Sequence, residues 1–305
     1  MAYYSGTAAN YTALRTALLT HAQADGWVLT GDVLSKAGVF FRIAETATNV
    51  TCLGCESNAV ANPAPNVVSI GRIFVRTSYT TREISFPCNY EVFGFAQELF
   101  MVVNYDTSAH QWMAFGKSTV PGLIGQGGWC AATIGVLGST LANDPIWIDA
   151  NVSGTNGSNE MTTAALAWYT LPGSTGQARN TWINHGIDGH GWLYNATAGD
   201  ATIGIRWLIP LLGLQPSVWN SEAVLLPIRA FKPRPSSKSS LILDVTNARH
   251  IRVDNLAPGD ILTLGADRWK VYPWYIKNSA VRDGGSLAGI NHTGTFGWAI
   301  RYQGP

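Results

Sequence analysis

The chain has 305 residues, of which 13% are charged and 46% hydrophobic, with 32 glycines, 12 tryptophans and a formal net charge of +1 at pH 7. A chain of this length can bury a substantial core in one or two domains. Because charge is nearly balanced and well below the roughly 25% usual in soluble domains, the composition argues against nucleic acid as a partner. It indicates instead a surface that neighbouring subunits partly cover.

Neither a membrane span nor a secretory signal is expected. The most apolar window, IGIRWLIPLLGL at 203–214, is too short to cross a bilayer and contains Arg206 and Pro210. The N-terminal MAYYSGTAAN lacks the basic segment and apolar run of a signal peptide.

The first predicted element is an amphipathic helix near the N-terminus, in SGTAANYTALRTALLTHAQADGW. Four apolar residues recur there at helical spacing on one face: Tyr11, Leu14, Leu18 and Ala22. Thr7 is the predicted N-cap, and Gly26 is predicted to end the helix.

Strands and turns are predicted for most of the remaining chain. Gly31-Asp32 between WVLT and VLSK predicts a hairpin, and a further glycine precedes VFFRI. Strands are also predicted in SIGRIFVRT and REISFPC. YEVFGFAQELFMVVNYDTSAHQWMAFGKS predicts three strands, of which the last two are joined by a loop at Asp106 to Ala109. Later strands are predicted in ALAWYTLP, TIGIRWLIP, AVLLPIRAF, SLILDVT, HIRVDNL and TFGWAIRY.

The stretch NLAPGDILTLGADRWKVYPW, residues 255–274, is predicted to be two strands joined by ordinary turns. Pro258-Gly259 fits the centre of a type II turn, since proline presets φ and glycine supplies positive φ. In RWKVYPW, Trp269 and Val271 alternate with charged neighbours, which gives one apolar and one polar face. A structural role therefore accounts for this stretch without catalysis.

These elements predict a mainly β fold of antiparallel strands, sandwich-like or barrel-like, with long irregular loops and one N-terminal helix. The predicted division is residues 1–120, with the helix and a β region, and 121–305, a β region with long loops; a single domain is the alternative. Residues 121–160 have little periodicity and many turn formers. Loops of that length are usually functional or ordered by a partner.

The four cysteines give a weak signal for a metal site. Cys52 and Cys55 have CxxC spacing, but Cys88 and Cys130 are widely separated single residues, whereas structural zinc sites usually show a second short-spaced pair. Reduced, partly buried thiols are the favoured interpretation, as expected of a protein made in a cytosol.

A second weak metal or proton-transfer candidate lies in NHGIDGHGW, residues 184–192, where His185, Asp188 and His190 could converge. Three glycines favour instead a flexible loop with a turn-forming aspartate and two exposed or interface histidines. No serine elbow, phosphate-binding loop or carboxylate pair is evident elsewhere. We therefore expect no catalytic residue and no cofactor.

The tryptophans allow two interpretations. Aromatic rings that line an exposed groove would suit a sugar, but buried core and subunit-contact positions are commoner uses of indole. The predicted interface residues are Trp129, Trp147, Trp182 and Trp192. Subunit contacts are predicted in the loops 121–160 and 184–192.

Three segments carry a family resemblance: MAYYSGTAANYTALRTAL with DGWVLTGDVLSKAGVFFRI, the central VVNYDTSAHQWMAFGKSTVPGLIG, and APGDILTLGADRWKVYPW with HTGTFGWAIRY. They resemble virion structural proteins of tailed bacteriophages of Gram-negative hosts. The resemblance implies a tail or baseplate component, with a decoration, collar or fibre-attachment role left open. It implies no catalytic residues.

The expected partners are other copies of the chain, in a symmetric homo-oligomer, and other tail or baseplate proteins. The expected location is the virion, after assembly in the host bacterial cytoplasm. The alternative function is a glycan-binding or glycan-cleaving receptor-recognition module of a phage tail. That alternative predicts tryptophans clustered in an exposed groove, with carboxylates nearby if the module cleaves.

Overall fold

The computed structural model describes residues 1–58, 67–75, 80–106, 108–135, 146–148, 164–167, 180–189, 191–194, 223–236, 238–253, 256–277 and 296–305. Within these ranges the chain forms one α-helix and 21 strands, arranged in three antiparallel sheets and one small mixed sheet. The mainly β class with one N-terminal helix is therefore confirmed, and the described strands form layers rather than a closed barrel. No helix in these ranges has the length and apolar character needed to cross a bilayer.

The helix α1 (Tyr11–Ala24) begins later than its predicted cap. The side chain of Asn10 accepts a hydrogen bond from the backbone nitrogen of Ala13 at 2.8 Å, so Asn10 is the N-cap. Thr7 was the wrong choice because it belongs to β1 (Ala2–Ala8), a strand that the sequence analysis missed.

The end and the buried face of α1 follow the prediction. Gly26 has φ +85° and donates to the carbonyl of Gln23, while Trp27 donates to that of Ala22. This is the Schellman arrangement, in which a left-handed glycine ends a helix. The buried helix residues are the four predicted ones and Leu19.

The six-stranded sheet contains the predicted hairpin. Its order is β13-β6-β5-β4-β3-β2, and its strands are β2 (Val28–Thr30), β3 (Val33–Lys36), β4 (Val39–Glu45), β5 (Asn49–Cys55), β6 (Val67–Gly71) and β13 (Ile134–Gly135). Gly31 has φ +63°, as the two-residue turn between β2 and β3 requires. Burial alternates along β4, so one face of the sheet points into the core.

The seven-stranded sheet contains the three strands predicted around residues 90–117. Its order is β1-β9-β10-β11-β12-β15-β16, with β9 (Cys88–Gly94), β10 (Glu98–Asn104), β11 (His110–Lys117), β12 (Gly128–Ala132), β15 (Thr181–Asn184) and β16 (Trp192–Tyr194). The strand predicted in REISFPC was wrong over residues 83–87, which lie in no strand. The predicted domain division stays a prediction; β11 and β12, on either side of it, are neighbours in this sheet.

The third antiparallel sheet has five strands in the order β17-β18-β21-β20-β19. They are β17 (Leu226–Arg234), β18 (Lys238–Arg252), β19 (Ile261–Leu264), β20 (Asp267–Pro273) and β21 (Phe296–Arg301). The separate strands predicted in SLILDVT and HIRVDNL are one 15-residue strand, β18. The predicted turn is confirmed, since Gly259 has φ +88° and Asp260 donates to the carbonyl of Ala257 at 3.0 Å.

The seven-stranded sheet is the middle of three layers. On one face Phe115 contacts Phe41 of the six-stranded sheet, with ring centroids 5.0 Å apart. On the other face Phe100 contacts Trp298 of the five-stranded sheet at 5.7 Å. Every residue of β12, and all but the last of β10 and β11, is therefore buried, which explains their nearly continuous apolar sequence.

The prediction of one long loop at 121–160 was wrong in part. Residues 128–135 form β12 and β13, and residues 146–148 form β14 (Ile146–Ile148), which pairs in parallel with β7 (Ile73–Val75) in a small sheet completed by β8 (Thr80–Arg82). Residues 165–167, the start of the predicted strand ALAWYTLP, form no strand. The rest of that segment and TIGIRWLIP lie outside the described residues.

The two edges of the five-stranded sheet differ in sequence. At one edge, β17 carries Pro227 and Pro233 and three basic residues. At the other edge, β19 has the uncharged sequence ILTL, with Ile261 40% and Leu264 41% exposed. Proline and charge on an edge strand prevent pairing with another chain, so only the β19 edge lacks this protection.

Candidate functional site

Parts of the two loops predicted to make subunit contacts lie against each other. The backbone nitrogen of Gly125 donates to the carbonyl of His185 at 3.1 Å, and that of Gly127 donates to the carbonyl of Asn184 at 2.8 Å. The loops meet because β12 and β15 are antiparallel neighbours, which puts the start of one beside the end of the other. We call residues 121–127 and 185–189 the loop platform.

Two glycines make this contact possible. A Cβ atom on Gly186, which has φ +67°, would lie 2.2 Å from the backbone nitrogen of Gly125. A Cβ atom on Gly125 would lie 2.4 Å from Oδ1 of Asn184. The two backbones therefore touch directly, and a side chain at either position would separate them.

Glu56, which follows β5, fixes the platform to the six-stranded sheet. Its carbonyl accepts from Nε2 of Gln126 at 2.7 Å, and its carboxylate Oε1 accepts from Nδ2 of Asn184 at 3.0 Å. One residue thus holds both loops, so the platform is tied to the β core by hydrogen bonds as well as by the glycine contact.

Asp188 connects the platform to the five-stranded sheet. Its Oδ2 accepts from Nη1 of Arg234 at 2.6 Å and lies 3.7 Å from Nζ of Lys232, both on β17. The Arg234 guanidinium lowers the pKa of Asp188, which keeps this exposed carboxylate charged. Asp188 itself has φ +59°, a conformation that aspartate tolerates in turns.

Ile124 protrudes from the platform, with 81% of its surface exposed. Its neighbour Leu123 packs instead against the core. An isoleucine held out on a restrained loop can enter a hydrophobic pocket of another protein with little loss of conformational entropy. Ile124 is therefore an exposed apolar side chain on a loop that hydrogen bonds restrain.

Of the two histidines considered for a metal site, His185 is the one that the structure describes. His185 is fully buried within the chain, which corrects the prediction of an exposed or interface histidine, and its Nδ1 accepts from the backbone nitrogen of Ile187 at 2.9 Å. That nitrogen is thus occupied within the chain. His190 lies outside the described residues.

The cysteine candidates are all buried free thiols. Burial raises the pKa of the Cys52 thiol, and the adjacent Cys130 thiol raises it further, whereas Cys88 lies on another strand, β9. High thiol pKa values disfavour the thiolate that zinc requires. In the part of the chain that the structure describes, no three His, Cys, Asp or Glu side chains are grouped as metal ligands.

The predicted interface tryptophans occupy different environments. Trp129 and Trp182 are buried inside the chain, with 0% and 2% exposed. Trp192 is half-buried, and its ring covers Gly54 so closely that a Cβ atom there would lie 2.4 Å from it. Trp147 lies in β14, but its side chain is outside the described set. Their role in subunit contacts stays a prediction.

The other tryptophans with described side chains are also buried: Trp27, Trp112, Trp269, Trp274 and Trp298. Trp112, Trp274 and Trp298 form a cluster between two sheets, with ring centroids 5.0 to 5.3 Å apart. These residues form no exposed aromatic groove, the feature that the glycan alternative predicts.

Comparison with known proteins assigns no family to the chain. No family model matches it, and a search of curated proteins finds no significant match. Its function therefore has to be inferred from its own residues.

Proposed function

We propose that this chain is a structural component of the virion of a tailed bacteriophage, in its tail or baseplate. It acts by self-association and by docking to other virion proteins. The observation that carries the proposal is the loop platform, which holds an exposed isoleucine on a glycine contact tied to all three layers of the fold.

We infer that the platform would act as an interface hot spot. Complete burial of an isoleucine stabilises a complex by roughly 1.5–3 kcal/mol. Because hydrogen bonds from Gly125, Gln126 and Asn184 already hold the loops, binding would order few additional groups. Ile124 would be the apolar anchor, and the Asp188–Arg234 ion pair would lie beside it as part of a polar rim.

The sequence supports the particle assignment through its resemblance to virion structural proteins. The quoted segments of that resemblance include APGDILTLGADRWKVYPW, which forms the hairpin of β19 and β20, and VPGLIG, which enters the platform. A mechanical role also fits the three packed layers, since load applied at the platform would pass into all of them through Glu56 and Asp188.

The proposal is tested in particles of a phage that encodes the chain. Mass spectrometry of purified virions and of dissected tails measures whether the chain is present and at what copy number, and native mass spectrometry of the full chain measures self-association. Ile124→Asp should reduce incorporation at least tenfold. The control Thr16→Asp, on the exposed face of α1, should be incorporated normally.

Absence of the chain from purified particles would refute the virion role. Normal incorporation of Ile124→Asp, with an unchanged melting temperature, would show that docking uses another surface. A chain that stays monomeric and binds no particle component would contradict both parts of the proposal.

A further inference from the structure

A cavity of about 330 Å³, lined by both polar and apolar residues, lies between the seven-stranded and five-stranded sheets. Sheet interfaces are normally filled with apolar side chains, and this one is so filled around Phe100 and Trp298. The polar lining at one end therefore needs an explanation other than packing.

The lining comes from residues in register on three neighbouring strands. Asn104 on β10 is paired with Asn89 on β9 and with His110 on β11. Directly opposed residues of antiparallel strands point to the same face, so these three side chains form a polar row. Glu91, paired with Val102, lies in the next row on that face.

The five-stranded sheet supplies the opposite wall. Tyr272 on β20 is 2% exposed, and the turn at Pro258-Gly259 covers the side. The backbone nitrogen of Gly259 donates to the carbonyl of Val271 at 2.7 Å, which holds this turn against β20. The cavity is thus built on two rigid sheets, with Asn89 exposed at its mouth and His110 and Tyr272 buried at its base.

The charges in the cavity cancel. The Glu91 carboxylate forms an ion pair with Nζ of Lys270 and accepts from the hydroxyl of Tyr3 at 2.6 Å. Burial lowers the pKa of His110 to about 4, so this imidazole is neutral at pH 7. A charged ligand would find no uncompensated partner among these residues and would lose its hydration.

The amide groups present both donors and acceptors. Asn104 uses its Nδ2 atom within the chain, donating to the carbonyl of Asp106 at 2.6 Å, so a ligand would meet its side-chain oxygen as an acceptor. Asn89 accepts at its Oδ1 from the hydroxyl of Thr7 at 3.3 Å, and its Nδ2 would offer a donor to a ligand. Hydroxyl groups match this mixture because each one both donates and accepts.

We propose that this cavity binds a neutral saccharide ring. Its volume is at the small end of the roughly 300–1,000 Å³ of ligand pockets, and Val102 and Tyr272 give an apolar surface for the C–H groups of the ring. Glu91 is the sole carboxylate among its described lining residues and is held by Lys270, whereas hydrolysis of a glycoside needs two carboxyl groups. The site therefore binds sugar without cleaving it, and it does not depend on the proposed docking role.

The test is saturation-transfer NMR and titration calorimetry on the full chain. The neutral probes are glucose, galactose, mannose, N-acetylglucosamine, maltose and lactose; glucuronate and glucosamine are the charged probes, and mannitol is the open-chain polyol. We expect at least one neutral ring to bind, with affinity at least tenfold above that for the charged probes and mannitol. Asn89→Ala should weaken that affinity about tenfold, whereas Asn58→Ala, an exposed asparagine outside the lining, should leave it unchanged.

Lack of binding by every neutral ring would overturn the proposal, as would preference for a charged probe or mannitol. Equal affinity of the wild type and Asn89→Ala, both folded by circular dichroism, would place the sugar elsewhere and also overturn it. Crystals soaked in the bound sugar give a readout independent of the variants, since electron density for the ring should lie between Asn104 and Gly259. None of these outcomes depends on incorporation into a virion.

Discussion

Glu98 and Asn247 join two sheets through two hydrogen bonds. Oε2 of Glu98, on β10, accepts from the backbone nitrogen of Asn247 at 2.9 Å and from its Nδ2 at 2.8 Å, while Oε1 accepts from the backbone nitrogen of Thr246 at 2.8 Å. The pairing of β17 with β18 shifts register at this point, and residues 246–248 have no partner in β17. Glu98 therefore satisfies backbone groups that the bulge leaves unpaired.

The first prediction is that Glu98 makes the folded state more stable at mildly acidic pH than at slightly alkaline pH. Burial raises its pKa from 4.5 to about 7. Because the folded pKa is above the unfolded one, its contribution to stability is complete below about pH 4.5 and is lost as the pH rises through about 7. Urea unfolding at pH 5 and pH 8 should give free energies of unfolding that differ, through this residue, by roughly 2 to 3 kcal/mol.

Glu98→Gln removes the titrating group, so this part of the pH dependence should disappear. The variant should also be less stable at both pH values, because an amide nitrogen cannot accept a hydrogen bond from the backbone N–H groups of the bulge. Glu83→Gln is the control, since that carboxylate is 52% exposed. A Glu98→Gln profile parallel to the wild type would contradict the assignment.

The second prediction concerns the start of α1. Asn10→Ala should lower the free energy of unfolding by about 1 kcal/mol, because the backbone nitrogen of Ala13 loses its acceptor. Thr7→Ala, at the position predicted from sequence, should cost less, since Thr7 makes one exposed contact with Asn89 at 3.3 Å. Chemical denaturation of both variants compares the two positions, and a larger loss for Thr7→Ala would refute Asn10 as the cap.

The third prediction separates steric contact from backbone conformation in the loop platform. Gly186 and Gly189 both have positive φ, +67° and +75°, so alanine at either should cost about 1 kcal/mol or more. A Cβ atom at Gly189 meets nothing within 4 Å, whereas at Gly186 it would collide with Gly125. Gly186→Ala should therefore be the more destabilising change and should separate the two loops.

Hydrogen exchange gives the local measurement for this pair. The backbone N–H of Gly125 and Gly127 donates across the platform, so both should exchange at least tenfold faster in Gly186→Ala than in Gly189→Ala. Equal protection of these amides in the two variants would mean that the glycine contact does not hold the platform together.

The fourth prediction tests the unprotected edge of the five-stranded sheet. The double substitution Ile261→Lys and Leu264→Lys should reduce self-association at high concentration by at least tenfold, because charge on an edge strand opposes pairing. Folded stability should change little, since both side chains are about 40% exposed. Sedimentation velocity is the measurement, with Thr16→Lys and Thr20→Lys on α1 as the charge-matched control. Unchanged sedimentation of the edge variant would exclude β19 from self-association.

The sequence predicted those elements that carry their own local signal. The apolar face of α1, the turn at Gly31 and the turn at Gly259 depend on residues a few positions apart. By contrast, β1 was missed because AYYSGTA gains its order from β9, whose paired residues lie at least 80 positions later. Strand β12 was predicted to be part of a loop. Small residues such as Ala131 pack on both faces of a middle layer, so the sequence lacks the alternation of apolar and polar residues expected of a strand.

The candidate sites were predicted less completely than the fold. The two contact loops could be named from their lack of periodicity, but their meeting depends on β12 pairing with β15 and on Glu56, which is 128 positions from Asn184. The polar cavity arises from the register of β9, β10 and β11, so Asn89, Asn104 and His110 carry no signal as separate residues. Neither arrangement can be derived without the strand order.

The unequal edges of the five-stranded sheet limit how copies of the chain can stack side by side. If β19 pairs with β19 of a second copy about a twofold axis, the unprotected edges of both copies are covered and the assembly ends at a dimer. A head-to-tail filament would instead need β19 to meet β17, where Pro227 and Pro233 lack the N–H groups for a ladder. If copies of the chain add strand to strand, the two prolines would end that addition at a closed pair.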